Sequence, residues 1–274
     1  MHFITFSRML GSGGTEIAKR VAEALGYAFV DTETIDNKAR EMGLLESVEQ
    51  ADEKAPTFFQ RFFSHKPAIN LDRLNSVIYE LAEQGDSVFI GRGGQILLKS
   101  FTCALHVRVI ASLEKRIQNL MERNYPKDVA IKAIDRSDHE RSGFVKFAFG
   151  KNWEDPHQYD TILNMDKLDV DTAVEAVLAI ARSGAIKSCS LDSLDTLKKL
   201  ALENRVEAAL VESGLTTGQI TTVNVSVDEP GVVRLTGIVE DTESKKRAEE
   251  IVKAVAGVTA VEDQIHVIPA DRHA

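Results

Sequence analysis

Residues 2–26 read HFITFSRMLGSGGTEIAKRVAEALG. Three patterns follow one another in it. Residues 2–8 are apolar and β-branched, so a strand is expected. Residues 11–14 hold three glycines. Ile17, Val21, Ala24 and Leu25 then fall on one stripe of a helix. A glycine turn that opens a helix presents backbone N–H groups and the helix dipole to an anion. Gly11, Gly13 and Gly14 allow close approach and positive φ angles, and Ser12 or Thr15 can add a hydroxyl. The stretch predicts a phosphate cradle; the bland alternative is a tight strand-to-helix turn.

Two loop patterns compete for it. A dinucleotide fold asks for GxGxxG and an acidic residue at the end of the second strand. GSGGTEIA meets this loosely, with Ala18 in place of the third glycine and Asp31 downstream. The triphosphate pattern GxxxxGK[ST] fits Gly11, Ser12 and Gly13 at the end of the loop. On that alignment Gly14 replaces the lysine, and Glu16 is read at the place of the metal-binding hydroxyl. Neither motif decides alone.

Strand-helix alternation continues from there. YAFVDT, SVFIGR, ALHVRVIA and DTILNM read as four more strands, and DVDTAVEAVLAIAR reads as a helix after the last. Nearly continuous apolar strands alternating with helices predict a parallel sheet covered on both faces. Two polar, less regular excursions interrupt the pattern, at about 37–66 and 126–159. In an α/β domain such segments cover the substrate.

After Arg182 the pattern changes. SGAIKSCSLDS is small and polar and reads as a linker. Beyond it the order is helix, strand, strand, helix, strand, with DEPG as the turn between the first two strands and Asp241 or Thr242 as the cap of the second helix. This α-β-β-α-β unit is expected to form a separate small domain.

Arginines separate the two loop readings. VFIGRGGQILL sets Gly91 and Arg92 at a strand end, facing the ligand crevice, where a guanidinium can grip a phosphate bidentately. DRSDHERSGF supplies Arg136, Asp138 and Arg141. Two arginines on a lid suit a phosphoryl group in flight, whose charge spreads over its equatorial oxygens. A solvated helix face with salt bridges is the competing account. Dinucleotide enzymes have no particular need for this set.

Composition bounds the rest. The chain has 274 residues, 43% hydrophobic and 27% charged, which is enough apolar material for a buried core. The net charge of −9 divides into −5 from Leu194 onward and −4 before it. Neither part has the basic face that nucleic-acid binding needs. Cys103 lies in an apolar run and Cys189 in a polar one; they read as a core filler and a loop residue rather than a disulfide. His65, His139 and His157 have no metal-like spacing. Phe58, Phe59, Phe62 and Phe63 share one helical face and read as core of the first excursion. No apolar stretch approaches a membrane span, and MHFITFSR is strand-like rather than a leader, so a cytoplasmic protein is expected.

With these residues on view, the first part resembles the cytidylate kinase-like family of nucleoside monophosphate kinases. The carrying stretches are ITFSRMLGSGGTEIAKRVAEALG, FVDTETI, VFIGRGGQILL, VIASLEKRI, DRSDHERSGF and YDTILNM, over about residues 1–184. A serine-arginine pair followed by GSGG, without the lysine, is typical of this branch. The resemblance implies a P-loop kinase-type fold with five parallel strands. It implies that Arg8, Gly11, Ser12, Gly13, Gly14, Thr15 and Glu16 bind ATP. Asp31, Arg92 and Arg40 would hold the acceptor nucleotide, CMP or dCMP. Arg136 and Arg141 would close over the transferring group with Asp138 orienting them, and Mg2+ would bridge the donor phosphates. Three departures stand out: Gly14, Glu16, and Asn37 where an arginine is expected, with Lys38 and Arg40 close by. Arg8 is the candidate to replace the lost charge.

The second part, about 194–270 after a linker at 185–193, resembles a BON domain through ITTVNVSV and VVRLTGIVEDTESKKRAEEIVKAVAGVTAVEDQIHVI. Such domains are associated with envelope proteins and with binding lipid or other macromolecules. Here a protein partner or self-association is expected over lipid. Three functions follow: a monophosphate kinase, a nucleotide-binding sensor that signals through the BON domain, or a dinucleotide enzyme.

Overall fold

The computed structural model describes residues 2–42, 67–215 and 222–268. The phenylalanine stretch 58–63 lies outside them. The chain forms two compact units, Met1–Asp36 with Gln84–Ser190, and Asn37–Glu83 with Leu191–Ala274.

The first unit is built on five parallel strands: β1 (Phe3–Arg8), β2 (Ala28–Val30), β3 (Ser87–Ile90), β4 (Ala104–Ile110) and β5 (Thr161–Asn164), in the order β2-β3-β1-β4-β5. The order differs from the 3-2-1-4-5 arrangement of dinucleotide folds, and that reading of the loop is corrected. β1 is central, pairing Phe3–Phe6 with β3 and Phe3–Arg8 with β4, which is why its sequence is apolar without alternation. Helices α1 (Gly14–Leu25) and α7 (Val170–Ala181; α2 to α6 are placed below) pack on one face. There Ile17, Val21 and Val177 meet Ile4, Phe6 and Val107 in one buried cluster.

The other face carries polar side chains that are buried. Thr5 Oγ1 and His106 Nδ1 lie 2.8 Å apart. Trp153 Nε1 donates to Ser7 Oγ at 2.7 Å, and the Arg108 guanidinium stacks 4.2 Å over the Trp153 ring. Burial pushes the His106 imidazole down to about 4, so it is neutral at physiological pH.

The remaining helices of this unit are α4 (Gly94–Leu97), α5 (Leu113–Met121) and α6 (Lys127–Phe149). The second excursion is thus largely one helix of 23 residues. The cysteine reading is overturned: Cys103, just before β4, and Cys189 form a disulfide across 86 residues. The polar segment after α7 folds back to the start of β4, which no local spacing announces.

α2 (Thr32–Glu41) runs across the boundary between the units. The second unit contains α3 (Pro67–Glu83), α8 (Leu191–Glu212), β6 (Thr222–Glu229), β7 (Val232–Val239), α9 (Thr242–Ala254) and β8 (Ala260–Val267). β7 is central, antiparallel to β6 and parallel to β8. The expected helix-strand order is found, and Asp241 caps α9 by accepting from the Ser244 N–H at 2.6 Å. Val206, Leu210, Val233, Leu235, Ala248 and Val252 form its core. α3 packs on α8, with Arg73 paired to Glu212 at 2.6 Å and Arg205 to Glu80 at 2.9 Å.

Candidate functional site

β1 delivers the chain at Arg8 into the glycine loop. The Met9 N–H donates to the Val109 carbonyl at 3.0 Å, and the Ser12 N–H folds back to the Met9 carbonyl at 3.3 Å. Gly11 and Gly13 both take φ of 82°. Gly13 is the N-cap of α1 and offers no side chain, so the N–H groups of the first helical turn, Gly14, Thr15 and Glu16, have no intrahelical acceptor. That is an anion cradle made of backbone. Ser12 does not add to it: its hydroxyl is buried and donates to the Met9 carbonyl at 2.8 Å. Thr15 and Glu16 are exposed at the helix start. With Gly14 in the lysine position the next residue is Thr15, so Thr15, not Glu16, holds the place of the metal-binding hydroxyl.

Arginines surround the cradle. Arg141 on α6 donates through Nη1 to the Arg8 carbonyl at 2.9 Å. Arg8, Arg123 and Arg141 line a cavity of about 140 Å³ together with Gly11, Gly13, Gly14, Thr15 and Glu16. Arg92 follows β3 with φ of 54°, a left-handed conformation rare outside glycine, and its Nη2 lies 4.0 Å from Asp36. Burial, then the neighbouring Arg141 and Arg92 charges, push the Arg8 guanidinium down to about 9. Burial likewise takes Arg92 to about 10 and lowers Arg141. Like charges in a desolvated place repel, and an anion among them relieves both the repulsion and the desolvation.

Two residues that hold the loop have no motif to mark them. Arg116 on α5 is 4% exposed. Its Nε donates to the Leu10 carbonyl at 2.7 Å, and its two terminal nitrogens meet both Asp138 oxygens at 2.8 Å. Asn119 donates to the Gly11 carbonyl at 2.8 Å. Tying these carbonyls to α5 fixes the peptide planes of the loop.

The three expected lid residues therefore take different positions. Arg141 reaches the loop. Asp138 is bidentate to Arg116. Arg136 pairs with Glu140 at 2.9 Å, with 65% of its side chain exposed. On the acceptor side, Asp31 Oδ1 accepts from both the N–H and the hydroxyl of Thr34 at 2.9 Å, capping α2. Arg40, which belongs to the second unit, donates to Asn37 Oδ1 at 2.6 Å. Among the described residues no group of three or more His, Cys, Asp or Glu could hold a metal.

Residues 3–167 match the cytidylate kinase-like family model, and residues 199–269 match the BON domain. No curated protein matches the sequence. Among solved structures, an uncharacterized protein from Eubacterium ventriosum ATCC 27560 is similar at 26% identity and a TM-score of 0.53, over 66% of this chain and 97% of that one. A shikimate kinase from Bacteroides thetaiotaomicron is similar at 15% identity and a TM-score of 0.42, over 66% and 99% of the two chains. A gluconokinase from Sinorhizobium meliloti 1021 is similar at 14% and 0.37, over 65% and 90%. The family model spans more than half the residues and includes the glycine loop, the strand-end arginine and helix α6, so the chain belongs to the cytidylate kinase-like family, with a BON domain at its C-terminal end.

Proposed function

We propose that the protein transfers the γ-phosphoryl group of ATP to a nucleoside monophosphate, with CMP or dCMP as the acceptor. The observation that carries this reading is the convergence of Arg8, Arg123 and Arg141 on a glycine loop with open helix N–H groups. An acceptor phosphate is already an adequate nucleophile, so catalysis needs positioning and charge stabilisation more than a base. The loop N–H groups and Arg8 bind the donor phosphates. Arg141, joined by Arg136 when the lid closes, neutralises the group in transit. Arg92 holds the acceptor phosphate, and Asp31 holds the nucleoside. In the transfer, the bond from the γ-phosphorus to the bridging oxygen of ATP breaks, and one to an acceptor phosphate oxygen forms.

Mg2+ usually keeps several waters and is bound by one or two carboxylates plus substrate phosphates. Thr15 and Glu16, exposed beside the cradle, fit that modest protein share. The metal would supply charge neutralisation at the β- and γ-phosphates.

The test is a phosphoryl-transfer assay on the full chain with ATP and magnesium against a panel of ribo- and deoxyribonucleoside monophosphates. Transfer to cytidine monophosphates above the other bases supports the reading. The glycine at position 14 favours one second reading, a nucleotide sensor that reports occupancy through the BON domain to a protein partner or a second copy. Tight ATP binding with no transfer to any acceptor would favour it.

A further inference from the structure

In the triphosphate-loop pattern the residue that follows the last loop glycine is a lysine whose ammonium reaches the phosphates. Position 14 is that residue, the first of α1, and it is a buried glycine. The space around it shows why. A Cβ on residue 14 would stand 2.6 Å from Arg8 Cβ, 3.2 Å from Arg8 Cγ and 3.0 Å from Val109 Cβ. The near atoms are the rooted end of Arg8, fixed by β1, and not a flexible tip. A side chain at 14 and any side chain at 8 exclude each other, because the closest clash is with the Cβ of residue 8.

The far end of Arg8 meets a second glycine. Its Nη1 lies 2.9 Å from where a Cβ on Gly91 would be, at the turn after β3. Arg8 thus leaves the end of β1, crosses Gly14 and reaches Gly91. Its Nε is buried without a hydrogen-bond partner, and it has no carboxylate ion-pair partner, among the described residues. Its backbone carbonyl is held by Arg141. A guanidinium placed so, beside open helix N–H groups, is built to receive an anion.

We propose that Arg8 performs the office of the missing lysine, neutralising the β- and γ-phosphates of the donor from the strand side of the loop, and that Gly14 is a glycine because Arg8 crosses it. The inference rests on the kinase reading for the identity of the anion. The charge sits on the strand instead of the helix. Gly14→Lys is then not a repair: it forces Arg8 out of its path.

The experiment compares the wild-type full chain with Arg8→Ala, Arg8→Gly, Gly14→Lys and the double variant Arg8→Gly with Gly14→Lys, using binding of MgATP and of inorganic tripolyphosphate, with thermal unfolding alongside. Arg8→Ala should weaken both ligands at least tenfold with little loss of melting temperature. Gly14→Lys alone should weaken binding and lower the melting temperature. The double variant Arg8→Gly with Gly14→Lys should bind more tightly than either Arg8→Gly or Gly14→Lys alone, because glycine at 8 removes the Cβ that stands 2.6 Å from the new side chain. Should Arg8→Ala not fold, Arg8→Lys keeps the charge on a narrower stem and should retain part of the affinity. Wild-type affinity in Arg8→Ala, or a folded double variant no better than the weaker single one, overturns the assignment. Wild-type protein that binds both ligands but transfers to no monophosphate removes the kinase reading alone. Wild-type protein that binds neither ligand removes both.

Discussion

Asp138 closes both of its carboxylate oxygens on Arg116, 2.8 Å to each terminal nitrogen, while the same guanidinium holds the Leu10 carbonyl. Helix α6 is therefore wired to the glycine loop through one buried side chain. Removing either partner strands the other. Arg116→Ala should cost about 3 kcal/mol of stability, the lower end for a buried pair because Asp138 is partly exposed. Asp138→Asn should cost less, and the double variant no more than Arg116→Ala alone. Urea unfolding of the three chains measures this. Additive losses would mean that the pair does not act as a unit.

Arg141 and Arg136 should separate by readout. Arg141→Ala should lower turnover by about 10²-fold or more while ATP affinity falls far less, as expected of a cation that acts on the transferring group. Arg136 is solvent-exposed and, among the described residues, pairs with Glu140 at i,i+4, so Arg136→Ala should change stability by no more than about 0.5 kcal/mol. Any loss of turnover in that variant then reports lid closure. Steady-state kinetics beside direct ATP titration checks both.

The Cys103–Cys189 disulfide closes a loop of 86 residues. In the chain-entropy account such a crosslink is worth about 4–5 kcal/mol through the unfolded state. Alkylation of the unreduced, denatured chain should add no label, and alkylation after a dithiol reductant should add two. Reduction or Cys189→Ser should lower the melting temperature. A fully labelled unreduced chain would contradict the pairing.

Acid should favour the α3–α8 pair. Burial pushes the Asp72 carboxyl up to about 6, and burial with Asp72 and Glu203 nearby pushes Glu207 up to about 7. Both values exceed those of an unfolded chain, about 4. The folded state therefore holds protons that the unfolded chain has released. The stabilisation is complete below about pH 4 and is lost as pH rises through about 6–7. Unfolding followed between about pH 5 and 8 should show stability falling with pH, and Glu207→Gln should flatten that slope. An unchanged slope in Glu207→Gln would remove the assignment.

What was legible in the sequence was what repeats locally. β1 and α1 announce themselves because an apolar run changes to a 3.6-residue stripe within one stretch, with glycines at the change. The five strands and the α-β-β-α-β order followed from the same signals. α6 did not, since its polar and apolar residues do not segregate into faces strongly enough to show a helix of 23 residues. Arg116 was hidden for another reason. Its partners are a carbonyl 106 residues earlier and a carboxylate 22 residues later, and no spacing rule connects them. Asp138 was seen, but beside Arg136 and Arg141 in sequence, whereas its partner comes from another helix. The disulfide was hidden likewise, by a separation at which spacing carries no information.

The family match runs without a break from residue 3 to 167, yet α3 lies inside that span and packs in the other unit. Its buried Leu74, Val77 and Ile78, and its ion pairs to Glu212 and Arg205, belong to a helix whose partner α8 begins at Leu191. The two modules are therefore interleaved rather than strung end to end. A fragment ending at residue 184 would retain every residue of the family signature and still lose the support of α3. Inactivity in such a fragment would speak of a stripped helix, not of a missing catalytic group.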